Sequence, residues 1–159
     1  MKKFIFLLFL VGCGYSHSED LTPITYEPLY ISLWHDGIPL FVSSDASDPT
    51  IVVTATKWWN DQTGLELFNS GTSNKVYIVK DSSKVAEDKE GISEFISENG
   101  NLICKIFVTS YRIGLIKHEL GHCLGFQHSS NSDNIMLPEA PDYGTISQQM
   151  ILDLQTDFK

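Results

Sequence analysis

The 159 residues carry 42% hydrophobic and 19% charged side chains, with nine Phe, six Tyr and three Trp, enough apolar surface for one packed domain and too much for a globally disordered chain. The net charge of −9 comes with no basic block beyond Lys2 and Lys3, so a phosphate backbone would find no electrostatic footing and nucleic acid is not an expected partner. One core and one site are expected, on a monomer.

Met1-Lys2-Lys3 followed by the apolar run Phe4 to Val11 has the charge pattern of an export signal, and the run is too short to cross a bilayer as a helix. Leu10-Val11-Gly12-Cys13 resembles the lipobox of bacterial lipoproteins, in which a diacylglyceryl group is attached to the Cys and the chain is cut before it. That resemblance implies a signal peptide over 1–12, lipidation of Cys13 and a membrane partner reached through the N-terminus. Gly14 in place of Asp implies the outer membrane or surface of a Gram-negative envelope. The competing reading is an ordinary cleaved signal with an incidental Cys. Residues 13–28, polar with Pro23 and Pro28, read as a tether, and 29–159 as the folded domain. Export also favours a disulfide between Cys104 and Cys123, although two buried thiols would satisfy the same packing.

Leu29 to Trp34 is a β-rich run suited to a first strand, ended by Gly37 and Pro39. Asp48-Pro49 supplies an N-cap and an N1 proline for a helix carrying Ile51, Val52, Ala55, Trp58 and Trp59, closed by Gly64. Four more strands are expected over Leu65–Phe68, Lys75–Lys80, Gly91–Ile96 and Leu102–Thr109, separated by Asn, Ser, Gly and Asp-rich turns. Ser110 is placed to cap a second helix reaching Gly125, and Ser147 a third reaching about Leu154. This order predicts an α+β domain, a small mixed twisted sheet of about five strands with three helices.

The stretch that carries chemistry is His118-Glu119-Leu120-Gly121-His122-Cys123-Leu124-Gly125-Phe126-Gln127-His128. Residues four apart share a helix face, so His118 and His122 can present imidazole nitrogens to one ion. Gly125 can end the helix in a left-handed conformation and turn His128 back as a third ligand, which leaves the fourth position of a catalytic zinc open for water. Glu119 sits beside the first ligand as the base that would activate that water and pass its proton to a leaving amine. The spacing H-E-x-x-H-x-x-G-x-x-H is far more specific than H-E-x-x-H alone, and Met136 follows it in Asn134-Ile135-Met136-Leu137-Pro138.

At these residues the chain resembles the metzincin zinc peptidases, and within them the matrixins, the branch of the matrix metalloproteinases. Ser129 after the third His and the Ile135-Met136-Leu137-Pro138 turn fit the matrixin pattern, and Trp59-Asn60-Asp61-Gln62-Thr63-Gly64-Leu65 resembles the Trp, Thr and Leu spacing of its first helix. The likeness spans about Leu29 to Leu154, strong at the histidines and weak elsewhere. It implies a zincin-type fold and a zinc endopeptidase cutting extracellular protein, with His118, His122 and His128 as ligands, Glu119 as base and Met136 as the apolar floor under the metal. It further implies that the strand at Gly91–Ile96 pairs with an extended peptide substrate, and that Leu115 and Pro138 line the pocket for the residue after the scissile bond.

Several positions depart from that family. Residues 81–91 contain no His, so a structural zinc has no ligands there and one zinc per chain is expected; whether calcium binds the carboxylates between Asp81 and Glu90 stays open. Gln149-Met150 replaces two Asp that anchor the Met-turn, and Ala140 replaces a pocket-wall Tyr. No cysteine-switch prodomain is visible; Glu19 or Asp20 could reach the metal from the tether, but a solvated role is the expected one. The alternative function is a catalytically idle surface lipoprotein that uses the same fold to bind peptide or protein.

Overall fold

Asp48 converts an extended segment into a helix. Its carboxylate accepts from the Thr50 amide at 2.9 Å, Pro49 takes the first helical position, and α1 runs over Pro49–Thr63. Gly64 closes it at φ +70, its amide donating to the Asn60 carbonyl. Val52, Ala55, Trp59 and Thr63, three and four apart, make its buried stripe.

The computed structural model describes residues 11–14, 34, 37–70, 74–98 and 101–158. The apolar run up to Leu10, the tether from Tyr15 with Glu19 and Asp20, and the strand expected before Trp34 lie outside the described residues. The strands are β1 (Val11–Gly14), β2 (Leu40–Ser44), β3 (Phe68–Ser70), β4 (Asn74–Lys80), β5 (Lys89–Glu98) and β6 (Asn101–Val108). Among the described residues the sheet is mixed, in the order β1-β5-β6-β4-β2-β3. β2 runs parallel to both β3 and β4, and β4 parallel to β6. β5 returns antiparallel on β6, with Gly91 opposite Val108 and Ser93 opposite Ile106, and β1 lies antiparallel on the far side of β5. The helices that follow are α2 (Ile113–Cys123) and α3 (Gln148–Asp157), so the described chain is an α and β domain with five mixed strands between Leu40 and Val108, β1 at their edge, and three helices.

Three expected strands reappear as β4, β5 and β6. The one placed at Leu65–Phe68 begins only at Phe68, because the Asn60 side chain takes its first backbone groups: Oδ1 accepts from the Leu67 and Phe68 amides and Nδ2 donates to the Phe68 carbonyl. β2 was not anticipated; it is a short interior strand behind Pro39, with too few residues for a periodic signal. α2 starts at Ile113 instead of just after Ser110, since Thr109 still donates its amide to the Glu90 carbonyl and continues the β5–β6 pairing. Arg112 stands at its N-cap position and makes no side-chain cap bond.

The core gathers on α1, α2 and the sheet. Trp59 stacks on Phe126 with ring centroids 5.9 Å apart, in a core that also holds Leu120, Leu124, Ile78 and Ile106, all fully buried or nearly so. Two indoles fix α2 by hydrogen bonds: Trp59 Nε1 donates to the Lys117 carbonyl at 2.8 Å and Trp34 Nε1 to the Cys123 carbonyl at 2.7 Å. The second satisfies a carbonyl of the last turn, which has no partner within the helix. Cys104 of β6 and Cys123 at the end of α2 are joined by a disulfide, Cα to Cα 5.7 Å, with both residues fully buried. The bridge closes a loop of sequence separation 19, for which chain entropy gives about 3 kcal/mol. The Cys104→Ala/Cys123→Ala variant is therefore expected to lose about 2–4 kcal/mol in urea unfolding, and a midpoint equal to that of the parent would contradict the bridge's structural role.

Candidate metal centre

His118 and His122 lie one turn apart on α2, and neither imidazole is exposed by more than 2%. After Cys123 the chain reverses: Gly125 takes φ +96, and the Phe126 amide donates back to the Gly121 carbonyl at 3.0 Å. The reversal brings His128 over the helix, its ring centroid 5.3 Å from that of His118 and 5.0 Å from that of His122. One nitrogen from each of the three rings lies within 4.8 Å of the others, close enough for one metal ion. Among the described residues no other group of three His, Cys, Asp or Glu side chains does this.

The orientation of two of the rings is set from outside the centre. His118 Nδ1 is 2.8 Å from the Ile135 carbonyl and His122 Nδ1 is 2.7 Å from the Phe126 carbonyl. A carbonyl only accepts, so both Nδ1 atoms carry the proton, and in neutral rings both Nε2 atoms present lone pairs. Those Nε2 atoms face each other at 3.0 Å. Two lone pairs at that distance repel unless a cation lies between them. A proton is disfavoured in that role. Burial, and secondarily His128, hold the His118 imidazole down at about 3, and burial with the two neighbouring rings holds His122 well below the ordinary histidine value. His128, less deeply placed, is lowered by burial and by Lys89. Three neutral nitrogen donors converging on one point, unable to share a proton, fit a metal ion.

Glu119 is fully buried under β5. Its Oε2 accepts from the Ser93 hydroxyl at 2.6 Å. A Cβ on Gly91 would stand 2.5 Å from Oε1, so the bare glycine backbone is what leaves room for this carboxylate. A Cβ on Gly121 would meet Met136 Sδ at 2.3 Å, which places the thioether directly against the helix at the residue between Leu120 and His122. The Met-turn is held without the carboxylates absent at Gln149 and Met150. Asn134 Oδ1 accepts from the Met136 amide at 2.8 Å, its Nδ2 lies 3.5 Å from Met150 Sδ, and the Ser129 amide donates to the Met136 carbonyl at 2.8 Å. Ser147 caps α3 through the Met150 amide, as its position before the helix implied.

Arg112 joins the other side. Its guanidinium pairs with Glu90 and Asp142 and donates to the Ala140 carbonyl at 2.9 Å, linking β5, the start of α2 and the loop after the Met-turn. Ala140 is buried at φ +47 instead of lining an open wall. Leu115 is fully buried against β5 and Pro138 is half-buried, so of these two only Pro138 offers surface. Asp81 is engaged in capping a short turn through the Ser83 amide and hydroxyl. Ser93, Arg112 and Asn134 were not singled out by the sequence. Ser93 and Arg112 act through partners distant in the chain, which no local pattern marks, whereas Asn134 works within the turn through the Met136 amide. Compared with known proteins, the chain matches no family model and no curated sequence.

The buried imidazoles make stability pH-dependent without metal. The unfolded chain binds protons near pH 6.5 that folded His118 does not bind until about pH 3, so the folded state is favoured fully above 6.5 and progressively less below it. His118 alone is expected to withdraw about 2 kcal/mol between pH 7.5 and pH 5. Urea midpoints measured in chelator across that range test this, and a flat profile would contradict neutral burial.

Proposed function

We propose that this chain is a zinc-dependent endopeptidase of the metzincin type, matrixin-like, that hydrolyses peptide bonds of extracellular proteins. The observation that carries the reading is the convergence of three neutral imidazole nitrogens, with the residue next to His118 in the chain, Glu119, presenting a buried side chain hydrogen-bonded to Ser93. A tetrahedral zinc bound at 2.0–2.1 Å sets its ligand nitrogens about 3.3 Å apart. The 3.0 Å separation of His118 and His122 Nε2 needs only a small opening to match.

When bound, zinc supplies Lewis acidity, lowering the pKa of water and polarising a carbonyl. The protein's own part is as follows. His118, His122 and His128 hold the ion with the first two tautomers locked by backbone carbonyls. Glu119 takes the proton of the attacking water on its carboxylate and delivers it to the departing nitrogen. β5 orients the peptide: the edge along which β1 lies antiparallel, Val11 opposite Ser93, is the one an added strand would use, and cleavage before Cys13 would clear Val11 and Gly12 from it. Met136 and the helix exclude water from below.

Glu119→Gln keeps side-chain size and removes basicity, so zinc content and fold are expected to persist while hydrolysis of a peptide library falls on the order of 100-fold to 10,000-fold. His128→Ala instead lowers zinc affinity together with activity, because it removes a ligand. Glu119→Gln that keeps full biological activity while hydrolysing nothing would replace the peptidase reading with that of a peptide-binding surface lipoprotein.

Envelope attachment through Cys13 is part of the proposal. It rests on the lipobox-like residues before Cys13 and the polar stretch that follows it. Fatty-acid labelling and detergent partitioning are expected to be lost in Cys13→Ser; retention of both would dismiss the anchor.

A further inference from the structure

Ser93 is a buried hydroxyl on a strand, 2% exposed, opposite Ile106 of β6. An alanine would fill nearly the same space at no cost in desolvation, whereas a buried hydroxyl without a partner is costly. Packing alone therefore does not call for serine here. Its Oγ is 2.6 Å from Glu119 Oε2 and 3.2 Å from the Glu119 carbonyl, so one hydroxyl reaches both the side chain and the backbone of the same residue. The shorter contact, from the hydroxyl to Oε2, is the one aimed at the side-chain carboxyl group.

Residues two apart on a strand share a face, and Gly91 and Ser93 are such a pair. Oε1 lies over Gly91, where a Cβ would be 2.5 Å away and 3.0 Å from the carboxylate carbon, while Oε2 is bound by Ser93. The terminal torsion of a glutamate is broad and nearly unrestrained by itself. Clasped between the bare backbone of one residue and the hydroxyl of the next on that face, this carboxylate has one orientation.

We propose that Ser93 is a positioning residue for Glu119, fixing the plane of the carboxylate so that its proton-accepting lone pairs face the reacting water. The role rests on the endopeptidase reading. The Ser93 hydroxyl touches neither substrate nor metal in this scheme and acts only through Glu119, while the Ser93 backbone belongs to the strand that pairs with the peptide.

Infrared difference spectra of the metal-free full chain, wild type minus Glu119→Gln and Ser93→Ala minus the Ser93→Ala/Glu119→Gln double variant, isolate the Glu119 carboxylate stretch with and without the serine. The stretch is expected to shift when the hydroxyl is removed. In the zinc-loaded proteins Ser93→Ala is expected to lower kcat on the order of 10-fold with KM and zinc content unchanged, and to cause no further loss when added to Glu119→Gln. A stretch that does not move would overturn the contact. A shifted stretch with unchanged kcat, or a loss that appears equally in the Glu119→Gln background, would overturn the positioning role. Wild-type protein that holds zinc and cleaves nothing would overturn the endopeptidase reading and the positioning role with it, while a shifted stretch would still support the contact.

Discussion

Two backbone carbonyls, those of Ile135 and Phe126, decide what the histidines can do. Each accepts an Nδ1 proton, and each thereby turns an Nε2 lone pair inward at a ring that burial keeps neutral. Neither carbonyl belongs to α2. Phe126 lies beyond the reversal at Gly125, and Ile135 belongs to the Met-turn, seventeen residues from His118. The helix alone would place two imidazoles on one face with their rings free to rotate. The following loop converts that spacing into a pair of aligned donors, which is the usual service of partners outside the ligand set.

The loop can do this because its own backbone is satisfied. The Ile135 amide donates to Thr145, the Thr145 amide to Asp133, and the Ser129 amide to Met136, so the segment carrying His128 and the segment carrying the Ile135 carbonyl are tied to one another. Arg112 clamps the far end of the loop to β5 by charge and to Ala140 by a hydrogen bond. The rest of the domain fixes α2 beneath. The Cys104 bridge and the Trp34 indole hold its last turn, and the Trp59 indole holds the turn before the first ligand. These restraints act on helix carbonyls and on Cys123, not on the three imidazoles.

What could be read in the sequence follows the range of the interactions. Asp48, Pro49, Gly64 and Ser147 mark helix ends because a cap bonds within two to four residues of itself, and the structure places α1 and α3 there. The three histidines were legible for the same reason: helical spacing and one glycine reversal are local facts. Ser110 misled, because strand pairing between Thr109 and Glu90 extended past the residue that looked like a cap. The start of β3 shifted because Asn60, seven residues before Leu67 on α1, takes the Leu67 amide. Ser93 and Arg112 are the extreme case, since their partners lie 26 and up to 30 residues away and nothing near either residue announces the contact.

β5 joins the two halves of the proposed reaction. One side of its ladder is paired with β6 and the other faces β1, on the edge where an extended peptide would lie, while its Gly91 and Ser93 clasp Glu119. Because side chains alternate along a strand, a slip of one residue against β6 would turn both Gly91 and Ser93 away from the carboxylate and move the peptide edge by the same step. In the proposed reaction, the pairing of Gly91 with Val108 and Ser93 with Ile106 would therefore set the aim of the base and the position of the peptide together. An enzyme that must place a scissile carbonyl and a proton acceptor against the same water gains from having one strand determine both.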